Sequence, residues 1–493
     1  MARFVGLDYT RLMAEPSQGA TAPTCRAPAG ARLGAGYRVP VASVPGRELV
    51  RLRRELTLAR RPTGFGSVAL DPVQCAIQTG EYLDVPRFFG VERWGAPESC
   101  DLSDGCAMSP IGFDGELRDD DARPQRRALD ACLGAFRHPG LAGGMLVLPC
   151  GYGKTVVAIA VALAHGRRTL VVVGKQFLMS QWAAAIARFA PSARIGYLWR
   201  DRVEVEGADI VLGMLHSMVQ RTYPADALRS FGLAIFDEAH HVAAESFNRA
   251  VRVLPARCVL GLSATPDRCD GLGPLLAWSL GPVLFRAVRP PEPVLVMVLH
   301  YTAGAERMRT GPDGRPLTAR MTTDLVTDAV RNAAIALEIT ALYAARRHIL
   351  VLSERVAQLG KLRLLLAPSI PSEDIGEYVG DTKPAARQRA ETCDVILSTY
   401  AMAREGLDIK RLDTLVLASP VTAMEQAVGR IQRPGEDKQV PLVVDVLDLY
   451  GPFATRARRR AAYFKANGFV VHKQATDGAA HRRPAAAAWA RTN

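Results

Sequence analysis

LPCGYGKT, from Leu148 to Thr155, is the stretch that decides how this chain is read. An apolar run leads into it (Met145, Leu146, Val147, Leu148) and a long Val/Ala run leaves it (Val156 to Ala164). The implied order is strand, Gly-rich loop, helix. In such a loop, here with Gly151 and Gly153, backbone N–H groups point inward and wrap a triphosphate. Lys154 then meets the β/γ-phosphates and the Thr155 hydroxyl ligates Mg²⁺. Leu148 stands where the full G-x-x-x-x-G-K-[ST] pattern has its first Gly. From the loop alone ATP and GTP are both open, and a structural Gly turn ahead of a core helix is the alternative.

Two stretches downstream bear on that choice. Leu233–Phe236 reads as an apolar strand ending in Asp237-Glu238-Ala239-His240-His241. A carboxylate at the carboxyl end of a parallel strand faces the same crevice as the phosphate loop. Asp237 there would hold Mg²⁺ through water, and Glu238 would polarise the attacking water as general base. The alternative is a solvated first helical turn, which also favours Asp and Glu. Ser263-Ala264-Thr265-Pro266 follows the strand Val259–Leu262 directly. By itself that tripeptide reads as a helix cap.

Around these stretches strands and helices alternate. Met145–Leu148, Thr169–Val173, Ile210–Leu212, Leu233–Phe236 and Val259–Leu262 read as strands, with helical stretches such as Gln176–Phe189 between them. Fully apolar strands in βα alternation predict a parallel, doubly wound α/β sheet. Pro290, Pro291 and Pro293 mark a hinge. After an exposed loop at 303–317 and a helix from Asp324 to Ala345, a second series follows: His348–Leu352, Val395–Ser398, Thr414–Leu417 and Leu442–Val446. The expected division is a loose segment 1–35, a small accessory domain 36–114, a first lobe 115–287, a second lobe 288–474 and a disordered basic tail 475–493. Within the accessory part, Glu48 to Arg61 predicts a helix mixing apolar and basic residues, and Tyr82, Phe88, Phe89 and Trp94 predict core.

Composition sets outer bounds. The 493 residues exceed one ordinary core. Lys and Arg number 62 against 49 Asp and Glu, a formal +13, which suits a polyanionic partner. The longest apolar runs fall short of about 18 residues, so no membrane span is expected. No compact apolar segment follows the early charges, which argues against a signal peptide and for an intracellular, non-secreted protein. The nine cysteines are scattered without a CxxC pair. Cys100 and Cys106 lack a matching pair at zinc-finger spacing, so reduced intracellular thiols fit better.

GYGKT, DEAH and SAT, in that order, resemble motifs I, II and III of superfamily 2 helicases. The second series carries counterparts of the rest. Thr399 lies in STY; Glu405-Gly406-Leu407-Asp408 resembles motif V; Gln426 to Arg433 matches QxxGRxxR, motif VI. Arg123-Pro124-Gln125 resembles the adenine-reading Q motif, Lys175 to Trp182 motif Ia, and Gly213 to Ser217 motif Ib. LPCGYGKT, VVVGKQFLMSQW, IFDEAHH, GLSATPDRCDGL and EQAVGRIQRP are similar as whole strings to the superfamily 2 helicases of large cytoplasmic DNA viruses, a wider group that includes the poxvirus transcript-release helicase. The resemblance covers about residues 115–470. The chain departs from the pattern in an acidic insertion, Asp119–Asp121, between Arg118 and Arg123, and in His216, where Gln is common.

The resemblance implies two tandem RecA-like parallel-sheet lobes with a small N-terminal accessory domain, and ATP with Mg²⁺ as cofactors. Lys154, Thr155 and Asp237 would hold Mg·ATP, Glu238 would act as base, and Arg430 and Arg433 would serve as arginine fingers. Gln125, Gly406 and Asp408 would complete the nucleotide site. Lys175, Gly213, Ser217 and Thr399 would contact a nucleic-acid backbone, with Ser263, Thr265, His240 and Gln426 coupling the two sites. DNA is the preferred polymer and RNA the alternative, whether as motor or transcript-release factor. A non-catalytic P-loop scaffold is the reading from another class; it would show a degraded Lys154, Glu238 or Arg430, and all three are present.

Overall fold

The computed structural model describes residues 26–60, 71–120, 123–149, 151–238, 244–264, 271–288, 293–301, 308–380, 382, 384–405, 409–422, 424–433 and 438–475. The chain divides after Val288 into two compact units. The segment 1–25, the tail 476–493, Asp121, Pro290 and Pro291 lie outside the described residues.

The first unit is built on a sheet of eight strands: β1 (Ala142–Val147), β2 (Thr169–Val173), β3 (Ile195–Trp199), β4 (Arg202–Val203), β5 (Ile210–Met214), β6 (Leu233–Asp237), β7 (Cys258–Ser263) and β8 (Val283–Arg286). Their order is β4-β3-β5-β2-β6-β7-β1-β8. Every pairing is parallel except the edge hairpin of β3 and β4. The central strands β1, β2, β5, β6 and β7 are buried along their whole length. This is what an all-parallel sheet covered by helices on both faces requires. The order reverses beside β1, and the crevice outside its carboxyl end is where such sheets bind ligands.

A smaller five-stranded sheet from the N-terminal region belongs to the same unit and shares a hydrophobic core with the large one. Arg87, 1 % exposed, donates from Nη1 to the Ala256 carbonyl at 2.8 Å, and Phe89 meets Trp278 edge-on at 5.4 Å. Residues 26–35, expected to be loose, include Arg32–Leu33, a strand of this sheet. The helix expected from Glu48 to Arg61 runs instead over Gly46–Glu55. There the chain turns into the short strand Thr57–Leu58, whose β-branched Thr57 pairs with Gln74.

The second unit holds a seven-stranded, wholly parallel sheet: β9 (Leu295–Tyr301), β10 (Ile349–Ser353), β11 (Ile375–Tyr378), β12 (Val395–Thr399), β13 (Thr414–Leu417), β14 (Leu442–Asp448) and β15 (Val470–Ala475). The order is β11-β12-β10-β13-β14-β9-β15. The helix expected over Asp324–Ala345 is two, Thr318–Thr327 and Ala329–Ala344. The break falls at Asp328, which leaves the helical conformation and accepts the Arg331 N–H at 3.0 Å as an N-cap. Arg331 in turn forms a buried two-point pair with Asp448, both contacts 2.9 Å.

Candidate active site

The phosphate loop leaves the carboxyl end of β1. Gly151 and Gly153 take φ of 84° and 82°, left-handed values that suit glycine. Gly153 is fixed twice over, because a Cβ there would also run into the amide nitrogen of Gln125. Lys154 and Thr155 open the helix Lys154–His165, so this helix N-terminus aims its unpaired N–H groups at the loop. The Leu148 N–H donates to the Ser263 carbonyl at 3.1 Å, tying the start of the loop to the end of β7.

Gln125 reaches the loop in spite of the acidic insertion. Asp119–Asp120 folds back on Arg123–Pro124 as a small antiparallel pair. Arg118 and Gln125 are thereby brought together: Gln125 Oε1 accepts the Arg118 N–H at 3.1 Å. Its Nε2 donates to the Tyr152 carbonyl at 2.9 Å. The Gln125 amide, 8 % exposed, braces the phosphate loop from behind.

Asp237 closes β6 and Glu238 follows it with φ 47°, a left-handed value rare outside glycine and characteristic of strained functional turns. Lys154 Nζ lies 3.8 Å from Glu238 Oε1 and donates to the Leu148 carbonyl at 3.2 Å. Burial first, and the neighbouring Glu238 charge second, push the Asp237 carboxyl up, against a hydrogen bond from Trp182 and the attraction of Lys154. Asp237 and Glu238 thus set two adjacent carboxylates beside the Lys154 ammonium. Among the described residues no cluster of three or more His, Cys, Asp or Glu could hold a metal alone. One carboxylate, one hydroxyl and a substrate's phosphates are, however, the usual donors of Mg²⁺.

Trp182 closes the stretch read as motif Ia, but motif reading gave it no role in the site. Its indole Nε1–H donates to Asp237 Oδ2 at 2.8 Å from the helix Gln176–Phe189, and the side chain is 2 % exposed. A buried tryptophan seeks a partner for its N–H, but nothing in the sequence says which.

The residues expected on a nucleic-acid path divide into two kinds. Lys175 is exposed ahead of its helix, and Thr399 ends β12 with its hydroxyl accepting the Met402 N–H at 3.4 Å. Gly213 instead lies inside the sheet, paired with Val172 and Leu198. Ser217 is 7 % exposed and its hydroxyl accepts the Arg200 N–H at 3.2 Å. The exposed side chain of that stretch is His216. Ser263 is buried at 2 % exposure. His240, Thr265, Gly406 and Asp408 lie outside the described residues.

In the second unit the helix Glu425–Ile431 carries Gln426, half-buried, and Arg430, 8 % exposed, whose Nε–H donates to the Ala403 carbonyl at 3.1 Å. Arg433 follows the helix. Lys438, a second residue not singled out by motif reading, donates from Nζ to the carbonyls of Ile431 at 2.8 Å and Arg433 at 2.6 Å. A cation on the last carbonyls of a helix complements its dipole and fixes where the chain leaves it.

A phosphate loop, an acidic strand end and an arginine-bearing helix on two parallel sheets define a two-lobed P-loop ATPase. Comparison with known proteins narrows that class. Residues 120–268 match the family model described as type III restriction enzyme, res subunit. A protein of Acanthamoeba polyphaga mimivirus, named as an ATP-dependent RNA helicase, is 30 % identical over 406 residues, 80 % of this chain and 77 % of the relative. An African swine fever virus protein with the same description is 26 % identical over 357 residues, 66 % of this chain and 69 % of its own. Among solved structures, the fold matches the DNA-bound type ISP restriction-modification enzyme LlaBIII (TM-score 0.53, 15 % identity, 74 % of this chain and 32 % of that one). It also matches a type I restriction enzyme HsdR subunit fragment from Vibrio vulnificus (TM-score 0.51, 17 % identity, 72 % and 68 %). The chain belongs to the superfamily 2 helicases, in the group found in large DNA viruses. Its sheets are the two RecA-like lobes of that fold, and it is an ATP-dependent helicase that binds nucleic acid.

Proposed function

We propose that the chain hydrolyses ATP at the β1–β6 crevice to move along or unwind DNA. The observation that carries this is the meeting of Lys154, at the start of its helix, with Asp237 and Glu238 at the end of β6, Lys154 lying 3.8 Å from Glu238. Lys154 and the loop N–H groups would hold the β/γ-phosphates, and Glu238 would take the proton of the attacking water. Gln125 and Trp182 would act one step back, steadying the loop and Asp237. Thr155 and Asp237 would hold Mg²⁺, which when bound neutralises charge on the phosphate oxygens. The Thr155 hydroxyl together with a buried carboxylate, Asp237, beside the phosphate loop fits such an ion. Arg430 and Arg433 are proposed to stabilise the charge that develops during transfer. The N-terminal accessory part, 36–114 together with the strand Arg32–Leu33 that joins its sheet, and the segments 115–287 and 288–474 would act as the working parts of this motor.

The polymer is DNA in this reading, supported by the match to a restriction-enzyme subunit. A second reading, RNA, draws on the names of the mimivirus and African swine fever virus relatives. Stimulation of ATPase by matched DNA and RNA oligonucleotides separates them, since recognition of the 2′-hydroxyl distinguishes the polymers. Greater stimulation by DNA is expected; stimulation by RNA alone overturns the DNA assignment.

A further inference from the structure

The buried hydroxyl of Ser217 leads to a surface that no motif covers. It holds the turn of the β3–β4 hairpin, in which Trp199 pairs with Arg202 and Arg200–Asp201 form the bend. Arg200 sits at φ 56°, a left-handed conformation that a residue with a side chain keeps only where its surroundings hold it. Three contacts do so. The Arg200 N–H donates to Ser217 Oγ at 3.2 Å, Tyr223 Oη donates to the Arg200 carbonyl at 3.5 Å, and Arg221 pairs with Asp201.

The result of holding this bend is an ordered array of rings and guanidinium groups. The Arg200 guanidinium lies 5.0 Å from the centroid of the Trp199 ring, and the Arg202 guanidinium 4.5 Å from that of Tyr197. Tyr197 and Trp199 alternate along β3 with buried Gly196 and Leu198, so both rings lie on one face and are half-buried. Both arginines are exposed. Because β3 runs parallel to β5, Trp199 and Arg200 emerge at the same edge of the sheet as exposed His216, which follows β5. That edge also carries the phosphate loop and Asp237. An indole capped by a guanidinium offers a flat, cationic surface, and nucleobases stack on both aromatic rings and arginine planes.

We propose that the Trp199–Arg200 tip, held in its bend by Ser217, Tyr223 and Arg221, is a stacking platform for one base of a single strand. The proposal rests on the reading of the chain as a nucleic-acid motor and adds to it a base contact outside the motifs. Such a contact is indifferent to base identity, since every base has a π-face, and it suits a motor that must pass any sequence.

Binding of fluorescein-labelled single-stranded oligothymidylate, and of the same strand with an abasic run, to the full chain tests it by anisotropy across a salt series. W199A should weaken binding to the intact strand roughly ten- to hundred-fold, while W199F, which keeps a ring, stays close to wild type. The slope of log affinity against log salt should not change in W199A, because no charge is removed. The wild-type protein should bind the abasic strand more weakly, and W199A should not discriminate the two. Equal binding of the intact strand by wild type and W199A overturns the platform, as it would if the tip docked an acidic protein segment. So does indifference of the wild type to the abasic run, an outcome independent of whether W199A folds. Failure of the wild type to bind any strand refutes the motor reading itself and is distinct from either.

Discussion

At the scale of single residues, the site depends on side chains that never need to touch the nucleotide. Trp182 gives its one polar hydrogen to Asp237, and that bond opposes the burial and the Glu238 charge that push the carboxyl's pKa up. W182F keeps the ring and removes the donor. Hydrogen bonds to charged groups are worth about 1.5–3 kcal/mol. We therefore expect kcat for ATP to fall roughly ten-fold or more with the thermal midpoint little changed; an unaltered kcat would show that Asp237 is oriented without it. The sequence shows Lys154, Thr155, Asp237 and Glu238 plainly, because phosphate chemistry calls for those side chains at a helix start after a Gly-rich loop and at a strand end. It does not show Trp182 or the bracing of the loop by Gln125, because each depends on a partner far along the chain, nor Lys438, whose reach back to the helix end depends on how the chain turns there. The acidic insertion illustrates the same limit: in the sequence it separates Arg118 from Gln125, whereas in the fold its antiparallel pairing brings them into contact.

At the scale of elements, the buried central strands were legible and the edges were not. β2 and β13 coincide with their apolar runs, since a strand covered on both faces must be apolar throughout. β3, β8, β9, β11 and β15 escaped, being edge strands, interrupted by glycine or set beside a proline-rich stretch. Asp328 escaped too, because a cap between two helices looks like one polar position on a continuous helix. The helix Lys154–His165 ends in a residue with a measurable consequence. His165 packs edge-on against Phe136 at 5.2 Å, and its Nε2 is buried without a hydrogen-bond partner among the described residues. Burial, helped by Arg257 and Arg167, lowers its pKa from 6.5 to about 4. The folded protein therefore keeps His165 neutral where the unfolded chain takes up a proton. Its contribution to stability is intact above pH 6.5 and is lost as pH falls from there toward about 4. Urea unfolding at stepped pH should show H165F losing less stability than wild type across that window. Parallel pH profiles would contradict the assignment.

At the scale of the whole molecule, the chain consists of two units, each built on a parallel sheet, and the residues proposed for the chemistry are divided between them. Lys154, Asp237 and Glu238 belong to the first unit and Arg430 and Arg433, proposed to stabilise the charge of the transfer, to the second. This division yields a prediction that a single-unit ATPase would not. R430A should retain binding of a fluorescent ATP analogue while hydrolysis falls by on the order of 10³; hydrolysis at the wild-type rate would remove the arginine from the reaction. The tandem arrangement itself was legible because the βα alternation stops near Pro293 and begins again. The merging of the N-terminal sheet into the first unit was not, since it relies on contacts such as Arg87 to Ala256 across many intervening residues. The central claim is that ATP hydrolysis in the first unit is coupled to a nucleic-acid strand. Its most direct test is the steady-state ATPase rate of the full chain with and without single-stranded DNA or RNA, alongside K154A. The rate should rise several-fold with at least one polymer and vanish in K154A whether or not a strand is present. A wild-type rate unmoved by both polymers, or a K154A rate equal to wild type, would contradict it.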